Sequence, residues 1–177
     1  MQTLTEAKPS NPMRAIKLAK VIVHINVGKS GEELEKARKV LTEITGQKSC
    51  TKQAKMTIKD FGITEGEPIA CLTTLRGEDA SAFLKRGLDA AGNSLKASSF
   101  DDYGNFAFGI KEHIEIPGVR YDPEIGIFGM DICVSVNRPG QRVKNRRKQN
   151  MPISPRHTLT PEESIIFIRQ TLGVEIE

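Results

Sequence analysis

Between positions 21 and 27, Val21, Val23, Ile25 and Val27 alternate with Ile22, His24 and Asn26. That period of two is the signature of a β-strand with one apolar face and one mixed face. The same alternation returns at 105–111, where Phe106, Phe108 and Ile110 share a side, and at 130–136 with Met130, Ile132, Val134 and Val136. A chain with several such strands must cover their apolar sides, and the intervening sequence supplies helices to do it. Ser30-Gly31-Glu32-Glu33 has the form of a capping box, with Ser30 as N-cap and Glu33 reaching back, followed by Leu34, Ala37, Leu41 and Ile44 on one helical face and Gly46 as terminator. A second helix is expected over 78–91, presenting Phe83, Leu84, Leu88 and Ala91 before Gly92-Asn93. A third starts at Thr160-Pro161-Glu162-Glu163, an N-cap, a first-turn proline and a capping glutamate ahead of Ile165, Ile166, Phe167, Ile168 and Leu172.

Positions 48–59 carry Lys48, Lys52, Lys55 and Lys59 and no acid, then run through Phe61-Gly62 and the turn-like Glu65-Gly66-Glu67-Pro68 into an apolar, Thr-rich strand at 69–76. This pair reads as a hairpin with one basic arm. Strands joined by hairpins, without regular βαβ alternation and without an internal repeat, define an α+β class. The expected architecture is a mostly antiparallel sheet with helices on one face and the other face open for RNA. At 177 residues a single domain spanning 1–177 is expected, with 1–10 a mobile polar leader and 138–157 a basic extended loop.

The formal charge of +4 is unevenly placed. Over 138–156 there are seven Lys or Arg and no acid, so without that segment the +4 becomes −3. Uncompensated cations in one stretch suit phosphate neutralisation, where each contact releases a condensed counterion. No apolar run reaches the roughly 18 residues of a membrane span, and the opening residues Met1-Gln2-Thr3-Leu4-Thr5-Glu6 lack signal-peptide character. The cytosol is the expected compartment. The three cysteines, Cys50, Cys71 and Cys133, have no C-x-x-C pair; Cys71 and Cys133 lie in apolar runs and are expected to be buried thiols.

Catalytic patterns do not assemble. Gly28-Lys29-Ser30 follows a strand and precedes a helix, but a phosphate-cradling loop needs a glycine where Val23 stands. Lys29 at a helix start can still hold an RNA phosphate. Asp101-Asp102, followed by Tyr103-Gly104-Asn105, reads as a turn rather than half of a carboxylate pair with Glu112-His113. His24, His113 and His157 lack zinc-ligand spacing, so neither metal nor cofactor is called for, and an enzyme is not expected. RNA recognition needs cations on phosphates, amides on base edges and an aromatic on an unpaired base. Asn26, Gln47 and Phe61 are of the latter two kinds and lie at element ends.

Eight short motifs, in order, resemble the ribosomal protein five family of the large subunit, in the branch shared by archaea and eukaryotes and on its archaeal side. They are Asn11-Pro12-Met13, Ile25-Asn26-Val27-Gly28, Ile44-Thr45-Gly46-Gln47, Thr74-Leu75-Arg76-Gly77, Gly104-Asn105-Phe106-Ala107-Phe108-Gly109-Ile110, Tyr121-Asp122-Pro123, Gly126-Ile127-Phe128-Gly129-Met130-Asp131 and Asn137-Arg138-Pro139-Gly140. The resemblance implies a protein that binds 5S ribosomal RNA and helps attach it in the central protuberance. It also implies a bridge to a small-subunit head protein, contact with P-site transfer RNA, neighbouring central-protuberance proteins and contact with 23S-type RNA. RNA contact by Asn26, Gln47, Phe61 and Thr74 is implied by the family's motifs; Asn11, Met13, Lys29 and Lys48 complete the expected ribosomal RNA set. Lys52, Lys55 and Lys59 in the hairpin are expected near transfer RNA. Arg142, Lys144, Arg146, Arg147 and Lys148 form a basic group for RNA or a partner, in a segment expanded relative to bacterial-type members and expected to order within the ribosome. Neither a membrane nor a small-molecule substrate is expected.

Overall fold

The alternating stretch becomes the middle strand of the structure, a computed structural model that describes residues 11–176. The leader expected at 1–10 lies outside the described residues. Strand β1 (Lys17–Asn26) starts earlier than its apolar pattern: Lys17 and Lys20 interrupt the alternation, while pairing with the neighbouring strand continues through a bulge between Leu18 and Lys20. It is flanked by β3 (Pro68–Leu75) and β6 (Met130–Asn137), and these by β2 (Cys50–Gln53) and β5 (Phe106–Ile110), in the order β2-β3-β1-β6-β5. Every neighbouring pair in this sheet is antiparallel. The class is therefore α+β, as the strand pattern required.

Register decides which side chains share a face. Val21 stands opposite Leu75 and Val134, and Val23 opposite Thr73 and Ile132, so with a period of two these line one side together with Ile25 and Cys71. All of them are buried. Helix α1 (Glu32–Thr45) packs on β3 and α2 (Gly77–Ala90) on β1. Leu34, Ala37, Val40, Leu41 and Ile44 form the buried stripe of α1; Phe83, Leu84 and Leu88 form that of α2. Gly87 permits the close approach of α2 to the sheet: a Cβ there would stand 2.9 Å from Ile132 Cδ1. The buried residues of sheet and helices form one continuous apolar cluster.

The start of α1 differs from expectation. Its N-cap is Gly31, with no side-chain cap, and Ser30 Oγ donates instead to Glu67 Oε1 of the β2–β3 hairpin. The Ser30 hydroxyl is thus engaged by a carboxylate arriving from the distant hairpin, and Glu67 also accepts from Thr64 N at 3.1 Å. These bonds, the Ser30 hydroxyl foremost, hold the Glu67 carboxyl below its ordinary value. The capping box at the last helix does form: Thr160 accepts from Glu163 N and Glu163 reaches back to Thr160 N, opening α4 (Pro161–Leu172). Between β6 and α4, the 138–157 segment contains a short helix α3 (Arg142–Asn145) and a 3-10 turn at Pro155–His157, rather than running wholly extended. A two-residue parallel pair, β4 (Ser94–Leu95) with β7 (Glu175–Ile176), ties the chain end to the exit of α2.

Candidate nucleic-acid interface

Because α1 and α2 take one side of the sheet, the alternate residues of the strands face the other. Three rows cross the middle of this open face, with the pair Lys20 and Ser135 beyond them. Lys52, Ala70 and Asn26 form one, Cys50, Leu72, His24, Asp131 and Gly109 the next, and Thr74, Ile22, Cys133 and Ala107 the third. Asn26 and Thr74 thus share a face, about 14 Å apart along the strands at roughly 3.4 Å per residue. Asn26 and Lys52 are exposed and Thr74 is half-buried. The surface is mixed: small or apolar groups in the middle, lysines toward the rim, and Asp131 as an exposed acid within it. Such a face suits riboses and base edges better than a run of phosphates, which the rim lysines can meet.

Gln47 and Lys48 sit where the chain leaves α1 and enters β2, at the end of β3 that carries Thr74. Gly46 adopts a left-handed conformation (φ 67°) to make that exit. Gln47 Nε2 donates to Asp79 Oδ2 at 3.1 Å, which orients the amide from the first turn of α2; Lys48 is exposed. Lys29 is exposed between β1 and α1, near the Asn26 end of the sheet. The hairpin connection at 54–67 is held at its base by Ala54 N to Glu67 O (2.8 Å) and Gly66 N to Ala54 O (3.0 Å). It carries Lys55, Lys59 and Phe61 outward, the last two in a 3-10 turn at Lys59–Phe61. Phe61 is 71% exposed, so it is not core filling; an aromatic held in the open is the type that stacks on an unpaired base.

The remaining expected residues collect elsewhere. Asn11 accepts from Met13 N at 2.9 Å to cap the 3-10 turn at Pro12–Arg14, which precedes the opposite end of β1 from Asn26. Met13 lies beside Gly140 of the basic segment. Arg142, Lys144, Arg147 and Lys148 are exposed, while Arg146 Nε donates to Gln149 O at 2.8 Å. The expected set therefore divides into the open face with its hairpin and a second basic group at the far end of β1. Cys133 corrects the expectation of burial: it is exposed in the third row of the open face, because β6 alternates and Cys133 falls between core-facing Ile132 and Val134. Cys71 is buried as expected, and burial pushes its thiol up to about 11. Asp101 is consumed by its turn, accepting from Tyr103 N (2.9 Å), Asn105 N (2.7 Å) and Asn105 Nδ2 (2.7 Å). Ile22, His24, Leu72 and Ala107, which pave the open face, were not singled out from sequence, although the period of two that places Asn26 there places Ile22 and His24 beside it.

Comparison with known proteins defines the class. The family model described as ribosomal protein L5 matches residues 11–63, and the model of the same family's C-terminus matches residues 68–167. The two stretches share one sheet, since β3 of the second pairs with β1 of the first. Large ribosomal subunit protein uL5 of Aeropyrum pernix is 51% identical over 98% of this chain and 90% of its own length. The uL5 proteins of Sulfurisphaera tokodaii and Methanococcoides burtonii are 50% and 49% identical, over 98% and 95% of this chain and 98% and 99% of theirs. What fold and relatives define is a structural constituent of the large ribosomal subunit, not an enzyme. The chain belongs to the ribosomal protein L5 family, uL5, and its relatives here are archaeal.

Proposed function

We propose that this protein binds 5S ribosomal RNA through the open face of its sheet and the adjoining hairpin, and so helps attach that RNA in the central protuberance. The observation that carries the reading is the convergence of Asn26, Lys52 and Thr74 on one uncovered sheet face, beside a hairpin that holds Phe61 out into solvent. Gln47 and Lys48 border the Thr74 end and Lys29 the Asn26 end. Base edges meet Asn26 and Gln47, a splayed base meets Phe61, and phosphates meet the lysines of the rim. Lys55 and Lys59 on the projecting hairpin connection, with Lys52 at its root, are the groups that approach P-site transfer RNA. The long connection at 111–129 exposes Tyr121 and Ile127, apolar surface of the kind that meets protein, and it supports the contact with a small-subunit head protein. The basic group from Arg142 to Lys148 supplies further contact with large-subunit RNA or neighbouring proteins.

The test is titration of the purified protein with 5S ribosomal RNA and a size-matched control RNA at several salt concentrations. The reading expects tight binding that prefers the 5S RNA and weakens linearly in log salt. Equal affinity for both RNAs reduces the interface to a generic basic surface, and absence of binding removes the reading.

A further inference from the structure

Among the residues of the three rows on the open face, Asp131 is the only acid, and it stands in the middle row. A surface that meets phosphates gains from cations and loses from a carboxylate, so an acid there needs a different partner. Asp131 is exposed and forms no ion pair among the described residues, although His24 stands directly opposite it on β1. Nor is its carboxylate spent on the backbone of the described residues, as those of Asp101 and Asp122 are, which accept from the amides of their own turns. On its other side stands Gly109 of β5, where a Cβ would lie 3.4 Å from Asp131 Oδ1. The carboxylate thus leans over a position without a side chain, open to whatever covers the face. Asn26 lies diagonal to it, two residues beyond His24 on the same face and roughly 7–8 Å away, within the span of one nucleotide.

An ionised carboxylate is an acceptor only, and its two oxygens favour two parallel N–H donors. Of the four RNA bases, only guanine presents adjacent donors on its Watson–Crick edge, at N1 and at its 2-amino group. Adenine and cytosine each offer one amino group beside an acceptor nitrogen, and uracil offers one N–H between two carbonyls. Unpaired nucleotides expose that edge in loops and bulges, where proteins read it. We propose that Asp131 is a specificity-determining residue of the open face. Its carboxylate accepts from N1 and the 2-amino group of one unpaired guanine, and the same charge disfavours any RNA that would lay a phosphate there. The inference rests on the reading of the open face as the 5S RNA interface and adds to it one base and the group that reads it.

Asp131→Asn keeps the shape of the side chain, removes its charge and turns one acceptor into a donor. The side chain is exposed, so the urea midpoint should match that of the unaltered protein. In titrations at one salt concentration, the variant should bind 5S ribosomal RNA about tenfold more weakly, and the size-matched control RNA no more weakly than before. Lys52→Gln, by contrast, should weaken both. Kethoxal, which adds across N1 and the 2-amino group of unpaired guanines, identifies the base. With protein saturating, one guanine of 5S RNA should be protected by the unaltered protein and reactive again in the Asp131→Asn complex, while other protections persist. Tighter binding of both RNAs by the variant, an unchanged preference for 5S RNA, or a guanine pattern indifferent to the substitution overturns the proposal. Renewed reactivity at an adenine or cytosine instead, probed with dimethyl sulfate, overturns it equally. If Lys52→Gln weakens binding and Asp131→Asn does not, only the role of Asp131 falls and the open face remains the interface. If the unaltered protein shows no preference for 5S RNA, the open-face reading falls and this inference falls with it.

Discussion

Phe61→Ala separates a stacking residue from a packing residue. A phenylalanine buries on the order of 200 Å² when wholly enclosed. Phe61 is 71% exposed, so its truncation removes only about 60 Å² of contact from the fold. At about 25 cal/mol per Å² that is at most about 1.5 kcal/mol. The contact is moreover within a projecting loop, away from the buried cluster of sheet and helices. Loss of a stacked base costs about 1–3 kcal/mol, roughly fivefold to 150-fold in affinity. The expected outcome is a urea unfolding midpoint close to that of the unaltered protein and a dissociation constant for 5S ribosomal RNA raised at least about fivefold, both measured at one salt concentration. A variant that binds 5S RNA as before but unfolds at markedly lower urea would refute the stacking role.

Other consequences are local. Gly104→Ala places a Cβ 2.9 Å from Ser164 Cβ and 3.3 Å from Thr160 O, at a residue with φ of 76°; the strain and the clash should lower stability by about 2 kcal/mol or more in denaturant melts, and unchanged stability would show that α4 does not dock on this turn. Lys52→Gln should reduce the slope of log affinity against log salt for 5S RNA by about one contact while leaving the preference over control RNA intact. Since the Glu67 carboxyl is held below its ordinary 4.5, the Ser30–Glu67 link contributes stability above that value and loses it as pH falls through the lower, folded one. A carbon-detected titration of Glu67 should show the depressed value, and Ser30→Ala should return it toward 4.5; a Glu67 that titrates normally in the unaltered protein would contradict the link.

Strands were legible where apolar alternation was uninterrupted, as in β6, and α4 was legible down to its cap because every partner lies within one turn. The N-terminus of α1 was not, for a physical reason. Ser30 and Glu33 satisfy the local pattern, yet the hydroxyl is taken by Glu67, a residue brought near only by folding of the hairpin. β4 and β7 were invisible because two residues carry no period, and their pairing is parallel between segments far apart in the chain. Phe61 could be read as an aromatic at an element end, but its exposure depends on the loop standing clear of the core. Cys133 was misjudged from the apolar character of its run, whereas the alternation of that run places it outward between Ile132 and Val134. The link between Arg138 and Glu163, which joins the basic segment to α4, has no local signature at all.

The outward position of Cys133 gives the most direct measurement of the interface. In a Cys50→Ser variant it is the one exposed cysteine, since Cys71 is buried, and it lies in the open-face row with Ile22 and Ala107. Its rate of alkylation by N-ethylmaleimide should fall at least tenfold when saturating 5S ribosomal RNA is present and remain unchanged with the control RNA. An alkylation rate at Cys133 that bound 5S RNA leaves unaltered would show that the open face of the sheet is not where the RNA lies.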